Sequence, residues 1–548
     1  MTETAREHLD RQIGSMRNER STWLSHWQEL NQNFSPRRGK FMVSDRNKGD
    51  RRNKLINNKG VLAVRTLRSG MMTGSTSPAT SWFTISVADT ELAKFGANKA
   101  WLEIVQKKLY RIFAASNLYR NLPLVYEESS VFGTAAMIHE DDFDTISRFT
   151  TFTAGEYMIG TNGKGQVDRF AREYQQTVYQ LIDKFGLKNV SPQVRNFYDR
   201  GDYNVWVDVG HLIEPASIET QDMPKLPEKF TSRSVYYEVG RDALAPDFLQ
   251  VKGYNEFPVY CPRWDVKAGD DYGFSAGMDA LGDAKALQVQ EKEKAKAIAK
   301  MVAPPMNVPT GMKNSQIGVM PGSPNFTDEK EGVRPAYQIN PRVGELIQDI
   351  QLTEARIDKA FYVDLFRMIS NMEGIQPRNV AELAARNEEA LLELGPVVGN
   401  NREELKQPLI DRQFNKLVRL SEPGWNGLDD KMIIPPPPPD LQDMELKLEF
   451  TGLLEQAQKR IGLGEIERAV SFTGQVAQLI PEVIDKIDGD AVIETYAGDL
   501  GVPNNIIASD EKASEKREQR AQKQQQEEAI TNAMTAVEGA KGVSEASR

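Results

Sequence analysis

Two long helical stretches joined by a segment that no helix can cross constrain this chain more than any other feature in it. The first, Met278 to Ala303, is rich in Ala and Lys and carries a thin apolar stripe of Ala284, Leu287, Ala295, Ile298 and Val302. Glu291 interrupts that stripe, so it is too poor to bury the helix within one copy of the chain. Pro304-Pro305 ends it, because proline removes an amide donor and clashes with the preceding turn. The second, Val343 to Asn371, has a fuller stripe at Ile347, Ile350, Ile357, Phe361, Leu365 and Met368 and is expected as one helix. At about 1.5 Å rise per residue the two span roughly 39 Å and 43 Å, enough to run side by side. Between them Pro304 to Arg342 is punctuated by seven prolines and four glycines. A link so much longer than the usual handful of residues, delivered by two long helices, reads as a small docking subdomain.

At 548 residues the chain is long enough for more than one domain. No apolar run approaches the roughly 18 residues a membrane span needs, and the polar N-terminus does not read as a signal peptide. Synthesis and use in the cytoplasm are expected. One cysteine, Cys261, excludes an intrachain disulfide framework and reads as a buried structural thiol. A net charge of −10 argues against a protein that grips nucleic acid over its whole surface, though not against one that lets DNA slide past. Nine basic residues between Arg37 and Lys59 face only Asp45 and Asp50, which reads as a solvated or partner-facing loop.

In chain order, Leu9, Ile13, Met16, Trp23, Trp27, Leu30 and Phe34 recur in steps of four and three, skipping a beat at Arg20, as an amphipathic helix does. Helices are expected at Asn58 to Met72, around Leu92 to Ile112, and at Leu118 to Phe132, making the first 133 residues essentially helical. After Gly133 come strand signals at Ile146 to Phe152, Tyr157 to Ile159, Val167 to Tyr174, Val205 to Val209 and Ser234 to Val239, with a helix at Val178 to Phe185. The expected class is therefore mainly α with an α+β insert over Ala135 to Trp264. Asn371 to Asn379 is a short loop broken by Gly374 and Pro377. A helix from Val380 to Leu394 should break at Gly395-Pro396, and its continuation through Leu405, Leu409, Leu417 and Leu420 should kink at Pro408. Pro435 to Pro439 reads as a stiff polyproline spacer and the clearest domain boundary. Leu441 to Val502 reads as a compact group of short helices, and the polar tail from Ser509 as a solvated helix or a disordered one.

The sequence offers no catalytic site. Gly160-Thr-Asn-Gly-Lys-Gly165 lacks the spacing of a phosphate loop and reads as a hairpin turn. His8, His26, His139 and His211 have no metal-ligand spacing, and His139-Glu-Asp-Asp142 reads as an acidic turn after a strand. The paired carboxylates Glu127 and Glu128 should point in different directions, and no cofactor is expected. Lys292, Lys294, Lys296 and Lys300 sit on the helix with the weaker stripe. They are either a solvated face balanced by Glu291 and Glu293 or contacts to DNA in a channel.

Phe257-Pro-Val-Tyr-Cys-Pro-Arg-Trp264, followed by Asp271-Tyr-Gly-Phe-Ser-Ala-Gly-Met-Asp-Ala-Leu281, resembles the head-to-tail connector, or portal, family of short-tailed bacteriophages. Gly155-Glu-Tyr-Met-Ile-Gly160 through Gly165-Gln-Val-Asp-Arg169, Ala381-Glu-Leu-Ala-Ala-Arg-Asn-Glu388 with Leu394-Gly-Pro396, and the proline run leading into Leu441 agree with it. The resemblance extends to residue 510 and rests on the order of these stretches.

It implies a homo-oligomeric ring, usually of twelve subunits, at one capsid vertex of the virion, assembled in the host cytoplasm. Double-stranded DNA passes non-specifically through its channel, and its partners are major capsid and scaffolding proteins, terminase during packaging, then tail adaptor and tail proteins. By the same resemblance residues 1–270 are a wing, 271–303 a first stem helix, 304–342 a clip, 343–370 a second stem helix and 371–379 a tunnel loop. Residues 380–434 return to the wing as a long kinked helix, 435–440 are a spacer, 441–508 a crown, and 509–548 a helical barrel or a disordered tail. DNA contacts are expected at Lys292, Lys294, Lys296, Lys300 and Arg378, and the tunnel loop at Asn371, Glu373, Gly374, Gln376, Pro377 and Asn379. Docking contacts are expected at Met312, Lys313, Asn314, Gln316 and Phe326. The rival readings are a helical scaffolding or internal virion protein without a DNA channel, and a packaging ATPase or nuclease. The missing phosphate loop and metal cluster count against the second.

Overall fold

The computed structural model describes residues 4–42, 54–87, 96–142, 144–218, 222–240, 248–267, 269–302, 306–307, 334–335, 343–371, 388–421, 434–442 and 446–477, with short pieces as far as 520. These divide into two compact units. The larger holds Met1–Trp82, Val105–Ile434 and Gly452–Leu454, the smaller Phe83–Ile104, Pro435–Thr451 and Glu455–Arg548.

Helix α1 (Ala5–Phe34) opens on a capping box in which the Thr4 hydroxyl accepts from the Glu7 amide and the Glu7 carboxylate from the Thr4 amide at 3.0 Å. Its stripe is buried at Leu9, Ile13, Met16, Trp27, Leu30 and Phe34, with Trp23 half-buried. The skipped beat, Arg20, is buried with it because its guanidinium reaches the Gly155 carbonyl at 2.9 Å. Helix α2 (Lys59–Ser75) follows, then a strand, β1 (Phe83–Val87), where sequence reading expects only helix. Phe83, Ile85 and Val87 alternate inward, and the partner strand lies near the far end of the chain, where no local pattern could reveal it. Helices α3 (Gly96–Ala115) and α4 (Leu118–Phe132) complete the first part. Gly133 ends α4 at φ 85, where any Cβ would overlap the carbonyl of Gly273.

The insert follows as β2 (Ala136–Asp142), β3 (Ile146–Phe152), β4 (Tyr157–Thr161), β5 (Val167–Thr177), α5 (Val178–Phe185), α6 (Pro192–Asp199), β6 (Trp206–Pro215), β7 (Ser232–Glu238), β8 (Gln250–Tyr254) and β9 (Val259–Tyr260). Strands β4 to β8 form one antiparallel sheet in chain order, and β2 is central to a second, between β3 and β9. Successive side chains point to opposite faces. Met158, Ala171, Leu212 and Val235 therefore pack on Ala5, Leu9, Ile13 and Met16 of α1. Val209 and Tyr236 face the other way, against Val178, Leu181, Phe185 and Val194. Each fully buried Leu in this core stabilises by roughly 2 kcal/mol.

Next come α7 (Ala276–Val302), the two-residue strands β10 (Met306–Asn307) and β11 (Arg334–Pro335), α8 (Val343–Ala360) and α9 (Val363–Asn371). The single helix expected over Val343 to Asn371 is thus two. Phe361 is buried with its ring centroid 5.2 Å from that of Phe34, and Tyr362 takes the left-handed conformation at φ 52, which turns the chain between them. The turn brings Phe366 of α9 against Gly70 of α2, where a Cβ would overlap its ring.

Helices α10 (Glu388–Glu393) and α11 (Gly395–Asn401) are separate, as expected at Gly395-Pro396, and Leu394 links them, its N donating to Ala390 O and Val398 N donating to Leu394 O at 3.0 Å. Pro396 sits in the first turn of α11, where its missing N–H is not needed. Pro408 produces a π turn, Arg402–Lys406, rather than a simple kink. Gln407 N donates to Arg402 O across that wider turn, and α12 (Gln407–Leu420) continues from it.

In the smaller unit Trp101 Nε1 donates to Pro435 O at 2.8 Å, tying the start of the proline run to α3. Pro438 has the extended angles φ −53 and ψ 152 of polyproline. Strand β12 (Leu446–Phe450) pairs antiparallel with β1, Phe83 opposite Phe450 and Ile85 opposite Leu448. The 25-residue helix α13 (Leu453–Ala477) follows where short helices are expected. Leu446, Leu448 and Phe450 carry the alternation that a helical reading passes over.

Candidate channel and docking surfaces

Helix α7 is buried only in its first half, through Ala276, Gly277, Ala280, Leu281, Ala284 and Leu287. Beyond that its apolar residues are open: Val289 is 60% exposed, Met301 51% and Val302 80%. Helix α8 buries Ile350, Thr353 and Ile357, yet leaves Ile347 and Leu352 exposed, the latter at 62%. Polar contacts hold the two together. Gln290 Nε2 donates to Asp349 Oδ2 at 2.5 Å and Arg356 Nε to Asp283 Oδ1 at 2.8 Å. These pairings advance in opposite directions along the two helices, so the helices are antiparallel. Asn57 bridges them, its side-chain amide donating to Glu291 Oε1 at 3.2 Å and Glu354 Oε1 at 3.0 Å. Lys59 Nζ meets Asp358 Oδ2 at 2.5 Å. Neither Asn57 nor Lys59 has a sequence signal that singles it out for this work.

Lys292, Lys296 and Lys300 recur every fourth residue and share one exposed face of α7. Lys294 does not join them. At about 100° per residue it lies roughly 200° from Lys292, on the side of Gln290, and it pairs with Glu291 at 2.5 Å. Lys296 pairs with Glu293 at 2.6 Å, and that hydrogen bond, reinforced by the charges of Lys296, Lys292 and Lys300, holds the Glu293 carboxyl below its usual range. Among the described residues Lys292 and Lys300 have no ion-pair partner.

Asn371 is the last residue of α9. Glu373, Gly374, Gln376, Pro377, Arg378 and Asn379 lie outside the described residues, as do Met312, Lys313, Asn314, Gln316 and Phe326. The described parts of Pro304 to Arg342 are β10 and β11, paired antiparallel with Met306 opposite Pro335 and Asn307 opposite Arg334. The chain therefore leaves and returns through one narrow pair of strands.

Elsewhere charged groups serve the fold. Gly160 and Thr161 end β4, and Asn162 to Gly165 make the hairpin turn to β5, closed by Asn162 N to Gln166 O at 2.8 Å. His139 to Asp142 form the end of β2 itself rather than a turn after it, since each pairs with a residue of β3. His139 is buried against the Tyr260 hydroxyl at 2.8 Å, and burial pulls its imidazole well below the usual range. His8 Nε2 and Arg233 Nη2 share the buried Glu214 carboxylate at 2.9 Å and 2.6 Å. Burial pushes the Cys261 thiol up, away from reactivity.

Glu127 and Glu128 do not diverge. Arg38, expected in a solvated or partner-facing loop, clasps both, with Nε 2.8 Å from Glu128 and Nη1 3.3 Å from Glu127. Arg263 grips Glu404 through Nε at 2.9 Å and again through Nη2, while Nη2 also holds Gly165 O at 2.7 Å. No group of three His, Cys, Asp or Glu side chains that could hold a metal occurs among the described residues.

The family model for bacteriophage head to tail connecting proteins matches residues 6–507. The chain belongs to that family. It is 40% identical over 552 residues to the portal protein of Salmonella phage epsilon15, covering 100% of this chain and 96% of that one. It is 39% identical over 538 residues to the probable portal protein of Bordetella phage BPP-1, covering 97% of this chain and 94% of its relative. In this connecting protein the match takes in both compact units, the half-covered helix α7 and the strand pair that closes 308–333. No helix among its described residues is long and apolar enough to cross a membrane.

Proposed function

We propose that this connecting protein is a phage portal. It forms a ring at one capsid vertex, through which DNA is packaged and ejected and to which terminase and then the tail attach. The carrying observation is similarity at 40% and 39% identity over essentially full length to two proteins bearing the portal name. The exposed apolar residues of α7 and α8 support assembly. Val289, Met301, Val302 and Leu352 are unburied in one copy, and covering each against a neighbour stabilises by on the order of 1–2 kcal/mol. The same contact repeated head to tail closes a ring, for which twelve copies is the expected number.

In this reading 271–303 and 343–370 are the stem, 304–342 the clip, 371–379 the tunnel loop, 1–270 and 380–434 the wing, and 441–508 the crown. Lys292, Lys296 and Lys300 present a sparse basic face to passing phosphate on a chain of net charge −10, a combination suited to transient contact rather than tight binding. Arg378 and the rest of 371–379 keep their proposed roles in the tunnel, and Met312, Lys313, Asn314, Gln316 and Phe326 theirs in docking. The work is mechanical and needs no catalytic group from this chain. A helical scaffolding role is not favoured, since both relatives carry the portal name.

The test is a phage lacking a functional copy of the gene. Its capsids should assemble without DNA, and wild-type protein supplied in trans should restore packaging. Genome-filled capsids in the absence of the chain would overturn the reading.

A further inference from the structure

We propose that the larger unit carries a binding site for a small oxyanion, phosphate or carboxylate in class, centred on the Arg172 guanidinium. The proposal is independent of the portal reading. Arg172 lies on β5 with its Cζ 4.7 Å from the Phe152 ring centroid and 4.4 Å from that of Tyr174, so aromatic rings engage the flat guanidinium. Its Nε donates to His211 Nδ1 at 3.3 Å. His211 can accept there because its other nitrogen, Nε2, lies 2.9 Å from the Ser234 hydroxyl and its ring stacks on Tyr236 at 3.8 Å. The imidazole is thus fixed as the neutral Nε2–H form.

The Nη1 and Nη2 groups are left over. Among the described residues no side chain or carbonyl accepts from them and no carboxylate pairs with Arg172, Glu140 and Glu156 acting on it through their charge alone. Beside them the Tyr174 hydroxyl is buried without any hydrogen-bond partner. Lys184 extends over the Tyr236 ring at 4.4 Å and makes no ion pair among the described residues. A half-buried cation is ordinarily paired, because the charged form loses hydration that something must replace. A guanidinium engaged on its flat faces, with its in-plane N–H groups free, matches the two oxygens of a carboxylate or phosphate side-on. Tyr174 would supply a third donor, and the Lys184 charge over the Tyr236 ring would add attraction for an anion.

The experiment uses the full chain in chloride buffer at constant ionic strength, titrated with inorganic phosphate in one arm and acetate in the other. Heat of binding and the midpoint of thermal unfolding are both followed. Saturable binding in either arm is expected, the stronger arm naming the ligand's class. Arg172→Met should weaken it tenfold or more, and Tyr174→Phe, which keeps the ring, by roughly fivefold for one lost hydrogen bond. Absence of saturable binding in both arms, or unchanged affinity in Arg172→Met, would overturn the proposal. Should Arg172→Met fail to fold, unchanged affinity in both Tyr174→Phe and Lys184→Met overturns it equally.

Discussion

Replacing Arg38 by methionine removes a guanidinium that touches both buried carboxylates of α4, and its cost can be worked from their other partners among the described residues. Glu127 keeps Arg68 Nη1 at 2.7 Å and the Ser35 hydroxyl at 2.9 Å, so its charge stays compensated. Glu128, which is 0% exposed, keeps the Ala154 amide at 3.0 Å and the Thr153 side chain but loses the Arg38 contact at 2.8 Å. Breaking a buried pair from one side costs about 3–5 kcal/mol, and the surviving amide bond places Arg38→Met near the lower end, at about 3 kcal/mol. The cost should depend on pH. Burial already raises the Glu128 carboxyl above its usual range, with Arg38 opposing, so losing Arg38 raises it further. A carboxyl whose pKa is raised by folding contributes stability below its unfolded value of about 4.3, and loses that contribution as pH rises through the folded value. The deficit of Arg38→Met should therefore be large at pH 7.5 and shrink at pH 5, and adding Glu128→Gln should recover most of it. Urea unfolding followed by tryptophan fluorescence reads this directly. A variant within about 0.5 kcal/mol of the parent at pH 7.5, or a deficit equal at both pH values, would refute the reasoning.

Other substitutions test other links. Gly70→Ala should cost about 1–3 kcal/mol in the same unfolding assay, because its Cβ meets the Phe366 ring, whereas Gly14→Ala, with nothing within 4 Å, should be neutral or slightly stabilising. Converting Lys292, Lys296 and Lys300 together to alanine should leave ring assembly unchanged and alter the rate of DNA packaging, while Lys294→Ala leaves that rate alone. An equal effect from Lys294 would mean that the shared face is irrelevant. Deleting residues 308–333 and rejoining β10 to β11 should preserve the ring and abolish capture of the tail adaptor in a pull-down. A deletion that still captures it would place docking elsewhere.

The elements that could be read from the sequence are those whose signal is local. The stripe of α1, the end of α4 at Gly133 and the hairpin at Asn162 each follow from a few adjacent residues. So did the poverty of the α7 stripe, which the exposed Val289 and Val302 make concrete. What escaped was set by distant partners. Strand β1 exists because β12 pairs with it, and the break at Tyr362 lies between two buried aromatic contacts that no periodicity shows. Pro408 marks a disturbance in the sequence, but a π turn and a kink remove the same hydrogen bond and cannot be told apart from composition. In the candidate channel, four-residue spacing joins Lys292, Lys296 and Lys300 and separates Lys294, a distinction available from helical geometry alone. The Arg38 clasp and the Asn57 bridge were not available, since each depends on groups brought together only by the fold.

Assembly into a closed ring is the claim on which the rest depends, and native mass with electron-microscopic class averages of the purified protein tests it most directly. Twelve copies of a 61.6 kDa chain make roughly 740 kDa. The account predicts particles of about that mass, seen end-on as rings with a central hole. Capsid vertices isolated from assembled heads that carry this chain only as a monomer or an open aggregate would contradict it.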